Sequence, residues 1–308
     1  MPVDPRQLSA LLAIQKHGSF SRAAEALNLS QPALSASVAS LEARLGVKLV
    51  DRTPRGAALN ELGLSLARHG ENIATILAQV DEDTRLYQAG VSGLLRLGGT
   101  PISLLEIGVP TIARMTRESR LRADFTEASD DELMGLLQAG QIDLLLGTVG
   151  VDQEADDIAE ISLVEISFDA IARRGHPLLE RRDLRLRDLT ESDEHWALPA
   201  KGSAFRRQIE SFFIASGCVF PTHYFSCHTL SLQKELVLGT GCLTFLPPRA
   251  TELELSAGVF QKLDLAAETF TRSLGIKYLA DRRLSASAER FIEIARETAL
   301  HRSRALAG

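Results

Sequence analysis

A chain of 308 residues exceeds one typical domain, so two or three compact units are expected. Its 45% hydrophobic and 24% charged content excludes a disordered polymer, and no apolar run reaches the roughly 18 residues of a membrane-spanning helix. The net charge of −6 argues against a chain wrapped throughout by nucleic acid, yet residues 1–60 hold seven Lys/Arg against four Asp/Glu, which suits phosphate contacts at one end. Asp4 and Arg6 ahead of a broken apolar run lack the layout of a signal peptide, so a cytoplasmic location is expected. Cys218, Cys227 and Cys242 show neither CxxC spacing nor a second His/Cys cluster; reduced thiols, no metal site and no cofactor are expected.

In chain order, Leu8, Leu11, Leu12 and Ile14 recur at helical spacing up to His17-Gly18, a basic residue followed by a helix stop. Ser19 can cap a short second helix carrying Ala23, Ala24 and Leu27. Asn28-Leu29-Ser30 then forms a turn into a third helix that runs to about Leu45, with Pro32 in its first turn. Residues 48–52 and 57–59 read as two strands of a hairpin around Thr53-Pro54-Arg55-Gly56. After the cap Asn60 a helix extends to about Gln88. Leu66, Ile73, Val80 and Tyr87 lie seven residues apart on it, with Leu62 and Ile76 between, a repeat that favours pairing with a second copy despite His69 and Asp83 on the same seam. Ala89–Gly93 reads as a hinge. Strand and helix signals then alternate as in a parallel sheet: strands at 94–100, 122–126 and 143–147, helices at 103–115 and 130–139. A second set follows with strands at 168–173 and 242–246 and helices at 203–216 and 229–238, before a strand at 274–279 and a helix at 285–301.

The first three helices have the spacing of a helix-turn-helix, whose second helix presents its leading side chains to base edges in the major groove. The presenting end is Ser30-Gln31-Pro32-Ala33-Leu34-Ser35. Gln31 can pair bidentately with adenine, Ser30 and Ser35 can bond to bases or phosphates, and Pro32 and Ala33 can touch a thymine methyl. Ser21 and Arg22 on the preceding helix, Lys48, and the hairpin arginines Arg52 and Arg55 supply backbone contacts that position without specifying. The bland alternative is three ordinary core helices with Gln31 and Ser35 merely solvated.

The whole string Gly18-Ser19-Phe20-Ser21-Arg22-Ala23-Ala24, Leu27-Asn28-Leu29-Ser30-Gln31-Pro32-Ala33-Leu34-Ser35, Leu41-Glu42, Leu45-Gly46 and Leu49-Val50-Asp51-Arg52 resembles the LysR-type transcriptional regulators in order and spacing. Val50 stands where that family usually has phenylalanine, and Asn60 where a threonine usually precedes the linker helix. The likeness continues more loosely through Leu136–Asp143, His176-Pro177-Leu178 and Gly239-Thr240-Gly241 before Leu246-Pro247. It implies an α/β protein: a winged helix-turn-helix over 1–60, a dimerisation helix over 61–89, and over 90–308 an effector-binding domain similar to type 2 periplasmic binding proteins. Lobe one would be about 94–163 and 270–303, lobe two about 164–269. The partners it implies are a double-stranded DNA operator, a second copy in a dimer that pairs again into a tetramer, and RNA polymerase.

A ligand in an open α/β fold lies at the carboxyl ends of strands, where helix N-termini point unpaired N–H groups into the crevice. That selects Thr100, Ile102, Ser103, Ser129, Thr148, Lys201, Gly202, Ser203, Cys227, His228 and Thr229 for a small-molecule effector, a carboxylate or a polyol. Each can equally be an ordinary cap. His176 reads as a turn element and Trp196 as packing beside the cleft. HExxH, GxSxG, Walker and dinucleotide fingerprints do not occur, so no enzyme is expected. Two other readings stand beside the regulator: a thiol-based redox sensor using Cys218 and Cys227, disfavoured because peroxide-sensing members place their cysteine near Ser203, and a ligand-binding protein without DNA activity.

Overall fold

The computed structural model describes residues 3–53, 56–88, 94–117, 121–150, 157–265 and 270–307. Two compact units result, one built on Met1–Gly90 and one on Val91–Gln138 with Ile142–Gly308. The expected hinge Ala89–Gly93 and the wing residues Pro54 and Arg55 lie outside the described residues.

Local caps set the first unit. Helix α1 (Pro5–His17) starts where Asp4 accepts from Arg6 N and stops at Gly18, whose φ of 66° a residue with Cβ adopts with difficulty. Helix α2 (Phe20–Ala26) is capped by Ser19 and α3 (Gln31–Leu45) by Ser30, each accepting a backbone N–H three residues on. Leu11, Ile14, Ala23, Leu34, Val38 and Leu41 bury the faces these helices share.

The wing strands β1 (Val50–Thr53) and β2 (Gly56–Leu59) pair antiparallel, Arg52 opposite Ala57. Pairing begins two residues later than the expected strand at 48–52. Lys48 and Leu49 are held otherwise: Leu49 N donates to Glu42 Oε1, Leu49 O accepts from Asn60 N, and Lys48 O accepts from Asn60 Nδ2. Ala57 N donates to Gly18 O, and a Cβ on Gly56 would stand 2.3 Å from that oxygen, so the hairpin docks on the α1–α2 turn only with glycine there.

Helix α4 (Glu61–Gln88) begins under the expected Asn60 cap, which accepts from Gly63 N at 2.9 Å. Its small residues Gly63, Ala67 and Gly70 pack on the head, where Leu8 O lies 2.7 Å from a Cβ built on Gly70. The seven-residue seam is therefore split: Leu66 and Ile73 are half-buried, whereas Leu62, Ile76, Leu77 and Val80 are exposed.

In the second unit β3 (Leu94–Gly99) leads into α5 (Pro101–Ser103), a π turn (Leu104–Gly108) and α6 (Val109–Met115). Strands β4 (Arg122–Glu127) and β5 (Leu144–Thr148), joined by α7 (Asp130–Gln138), flank β3 in parallel. Strand β6 (Ile158–Arg173) is far longer than the expected 168–173. Its first half alternates between half-buried and exposed and is ordered by antiparallel pairing with a strand more than a hundred residues away, which no local signal reveals. Then come α8 (Leu186–Thr190), β7 (Trp196–Pro199), α9 (Ala204–Ala215), β8 (Tyr224–Cys227), α10 (Leu230–Thr240), β9 (Thr244–Leu246), α11 (Pro248–Ser256) and β10 (Phe260–Lys262). Strand β11 (Phe270–Leu279) returns along β6 and ends before α12 (Ala286–Ala307). The main sheet runs β10-β6-β11-β5-β3-β4, with β9 also on β6, while β7 and β8 pair in parallel. β6 and β11 thus cross from one group of strands to the other, and Phe168, Phe205, Phe212, Phe245 and Phe270 stack around the crossing.

Candidate functional site

At the head, Leu34, Val38 and Leu41 anchor α3 in the core, which leaves its leading edge outward. Ser30, Gln31, Pro32 and Ala33 are exposed and Ser35 half-buried. Ser30 Oγ accepts from Ala33 N at 3.3 Å, so one face of its hydroxyl is committed to the cap. Ser21 and Arg22 are exposed on α2, and Arg22 Nε donates to Ser19 Oγ at 3.3 Å. Arg52 lies on β1, and Lys48 is held by Glu42 at 2.7 Å.

Glu42 is a residue that the sequence reading quoted without a role. It is 8% exposed; Oε1 accepts from Leu49 N at 2.8 Å and Val50 N at 3.2 Å, and Oε2 from Lys48 Nζ. Burial alone would raise its pKa, but these hydrogen bonds and the Lys48 charge outweigh it and hold the carboxyl below its ordinary value. The carboxylate ties the C-terminal half of α3 to the chain entering the wing.

In the second unit a cavity of about 330 Å³ lies between the two groups of strands, within the size range of small-molecule sites. Thr100, Ile102, Ser129, Ser203, Cys227, His228 and Thr229 of the expected set line it. They converge because Thr100, Ser129, Ser203 and Thr229 each precede a helix whose first turn faces the cavity. Ser103 is fully buried instead, bonded to Thr100 and Leu146 O, and braces the start of the helix rather than lining the space. Thr148 lines a neighbouring cavity of about 360 Å³ with Asp130, Arg207, Gln208 and Lys277. Lys201 and Gly202 are exposed in a turn and line neither.

Several hydroxyls are already occupied. Ser129 and Glu132 cap α7 reciprocally; hydrogen bonds from the Ser129 hydroxyl and then its N–H hold Glu132 below its ordinary pKa. Ser203 Oγ donates to Ala200 O and accepts from Arg206 N. Two bonds join the segments around β3–β5 to those around β7–β10: Asp130 Oδ2 accepts from Ala204 N at 3.3 Å, and Arg249 Nε donates to Leu105 O at 3.0 Å.

Sequence reasoning missed Arg272, which lines the cavity from β11 and is only 3% exposed. The available signal was period two: Phe270, Arg272 and Leu274 share one face of their strand, and that face is buried. It also missed Phe205 and Gln233; the latter donates to Thr244 Oγ1 and Ala197 O and so fixes α10 on its sheet. Trp196 is fully buried against Phe213 and Phe245, and His176 accepts from Leu178 N in its turn, both in keeping with the expected packing roles. Burial, then the neighbouring Cys242, pushes the Cys227 thiol up, and burial pushes Cys242 up. Cys218 is half-buried.

The pattern described as "Bacterial regulatory helix-turn-helix protein, lysR family" matches residues 5–64, and "LysR substrate binding domain" matches residues 88–300. The HTH-type transcriptional regulator GbpR of Azospirillum brasilense is 30% identical over 287 residues, 92% of this chain and 83% of its own. The probable hydrogen peroxide-inducible genes activator of Streptomyces viridosporus is 30% identical over 255 residues, 80% and 78% of the two chains. Full-length CbnR, solved in complex with its target DNA, superposes with a TM-score of 0.67 at 17% identity, covering 96% of this chain and 99% of that one.

Proposed function

The chain belongs to the LysR family of DNA-binding transcriptional regulators, and from that premise we propose that residues 1–60 read an operator, the helix over 61–89 pairs two copies, and residues 90–308 hold a small-molecule effector between lobes of about 94–163 with 270–303 and about 164–269. The observation that carries this reading is the exposed leading edge of α3, Ser30 to Ala33, on a helix whose opposite face is locked in the core. Gln31 reads a base edge, and Ser21, Arg22, Ser35, Arg52 and Arg55 hold the backbone.

Gln31→Ala is expected to relax preference at one operator position by about 1–3 kcal/mol while leaving non-specific affinity intact. Arg52→Ala is expected to weaken binding to every duplex and lower the salt slope by about one. Binding titrations over a range of salt on the operator and on scrambled duplexes separate the two. Unchanged discrimination in Gln31→Ala refutes the groove assignment, and no duplex binding by the intact chain at any salt returns the reading to a ligand-binding protein alone.

Leu77 and Val80, 62% and 56% exposed on α4, supply the apolar face for a second copy. Leu77→Glu combined with Val80→Glu is expected to halve the smallest assembly seen by light scattering; an unchanged mass removes α4 from the interface. A two-fold dimer suits an interrupted palindrome, and pairing of dimers through the effector lobes gives a tetramer able to bend DNA and meet RNA polymerase in the cytoplasm.

Effector binding acts by favouring one relation of the lobes over another, with Asp130 to Ala204 and Arg249 to Leu105 among the contacts that join them. A redox switch of the kind one relative's name suggests is less well supported. Cys227 and Cys242 hold little thiolate at neutral pH because burial opposes it, and the cleft presents the hydroxyl of Ser203. No catalytic role is assigned.

A further inference from the structure

Among the described residues, the other buried Arg and Lys side chains of the second unit are matched. Arg206, 2% exposed, donates to Glu210 at 2.9 Å and to Pro199 O and lies over the Phe220 and Tyr224 rings; Lys277, 8% exposed, faces Glu160 at 3.1 Å. Arg272 is different. It lines the cleft cavity at 3% exposure, yet its Nε and Nη2 have no hydrogen-bond acceptor. Those two nitrogens share one edge of the guanidinium, the edge that meets both oxygens of a carboxylate.

Arg272 Cζ lies 5.4 Å from the centroid of the Phe205 ring. Burial pushes the pKa of Arg272 down to about 10, with Asp130 opposing and Arg207 adding to the shift, so the group stays charged at neutral pH. A buried charge with two of its nitrogens unsatisfied destabilises the fold, and the cost is recovered when an anion meets them. The remaining wall is largely apolar, with Pro101, Ile102, Ala128, Pro199 and Leu230, and carries among these the carboxylates of Glu127, Asp130 and Glu132. These carboxylates can accept from ligand hydroxyls and repel a second anionic group.

We propose that Arg272 is the specificity-determining residue of the cleft and that the effector is a small monocarboxylate with a hydroxylated body, its carboxylate neutralising the guanidinium. This rests on the cleft being the effector site. Nε and Nη2 are closed to water as the side chains stand, so the carboxylate reaches them by moving side chains of the lining, of which Phe205 is the aromatic one beside the guanidinium. Phe205 sits at the start of α9 and Arg272 on the crossing strand β11, so occupancy shifts one against the other.

The test is thermal unfolding of the full chain, followed by the fluorescence of its single tryptophan, with gluconate, acetate, glucitol and acetamide as probes at matched ionic strength. Gluconate is expected to raise the Tm most, acetate less and acetamide not at all. Arg272→Met is expected to melt at or above wild type without ligand, because an unmatched charge is gone, and to bind gluconate at least tenfold more weakly. Arg272→Lys retains part of the response.

The proposal is overturned if neither carboxylate exceeds chloride in wild type, or if Arg272→Met melts below wild type, or if it binds gluconate unchanged. Ser203→Phe, which fills the cavity and leaves Trp196 the sole reporter, separates the two levels. A glucitol shift equal in wild type and Arg272→Met but lost in Ser203→Phe keeps the cleft and ends the anion assignment. A gluconate shift that persists in Ser203→Phe refutes the cleft itself.

Discussion

Gly275→Ala is expected to lower the Tm of the second unit by about 6–12 °C, taking roughly 2–4 °C per kcal/mol and a cost on the order of 3 kcal/mol. Gly275 lies in β11 where the pairing with β6 shifts register, Leu274 facing Val164 and Gly275 facing Ser162. A Cβ there would stand 2.0 Å from Ile161 O and 3.0 Å from Val149 Cγ1. The first of these is backbone and cannot rotate away, so the crossing strands must separate and lose ladder hydrogen bonds. Because these strands link the two groups of strands and β11 carries Arg272, ligand response at the proposed cleft is expected to fall with the Tm. Gly135→Ala is the control: it lies inside α7 with no atom within 4 Å of a built Cβ, and is expected to be neutral or stabilising by about 0.5–1 kcal/mol. Equal melting of Gly275→Ala and wild type sinks the argument from close approach.

Glu42→Ala is expected to destabilise the head by about 3 kcal/mol, because two backbone N–H groups lose their acceptor at about 1–3 kcal/mol each where they stay out of water. The bond to Lys48 adds little, since that side chain is 79% exposed. Operator binding should fall steeply while the fluorescence melt of Trp196, which lies in the second unit, stays in place. Glu42→Gln keeps an acceptor and should fall between the two.

The same carboxylate predicts the pH dependence. Its folded pKa lies below its unfolded value of about 4.5, so the stabilisation is complete above pH 4.5 and is lost as the pH falls through the folded pKa. The head of Glu42→Gln should therefore lose less stability on acidification than wild type. Parallel acid melts of the two proteins, read by far-UV circular dichroism, would falsify this role for the charge.

Signals confined to a few neighbouring residues were readable from the chain alone. Ser19, Ser30 and Asn60 cap the helices they precede, Gly18 and Gly46 stop theirs, and the apolar spacing that sinks Leu34, Val38 and Leu41 turns Gln31 outward. Caps and helical periodicity act over three or four residues, so their outcome is written in the local sequence. The same holds for Thr100, Ser129, Ser203 and Thr229, whose place at the cavity follows from strand-then-helix order.

Pairings between distant segments were decided by the assembled fold. The first half of β6 exists because β11 lies beside it, and the wing starts at Val50 because Glu42 and Asn60 claim the backbone at Lys48 and Leu49. The seam of α4 is split because α1 buries part of it. Arg272 reads in sequence as one more basic residue in a strand; only in the folded molecule does it become a buried cation, near Phe205, whose Nε and Nη2 have no acceptor. Burial and charge balance sum over contacts far apart along the chain, which is why the outward edge of α3 could be placed from its own residues while the surroundings of Arg272 needed the folded molecule.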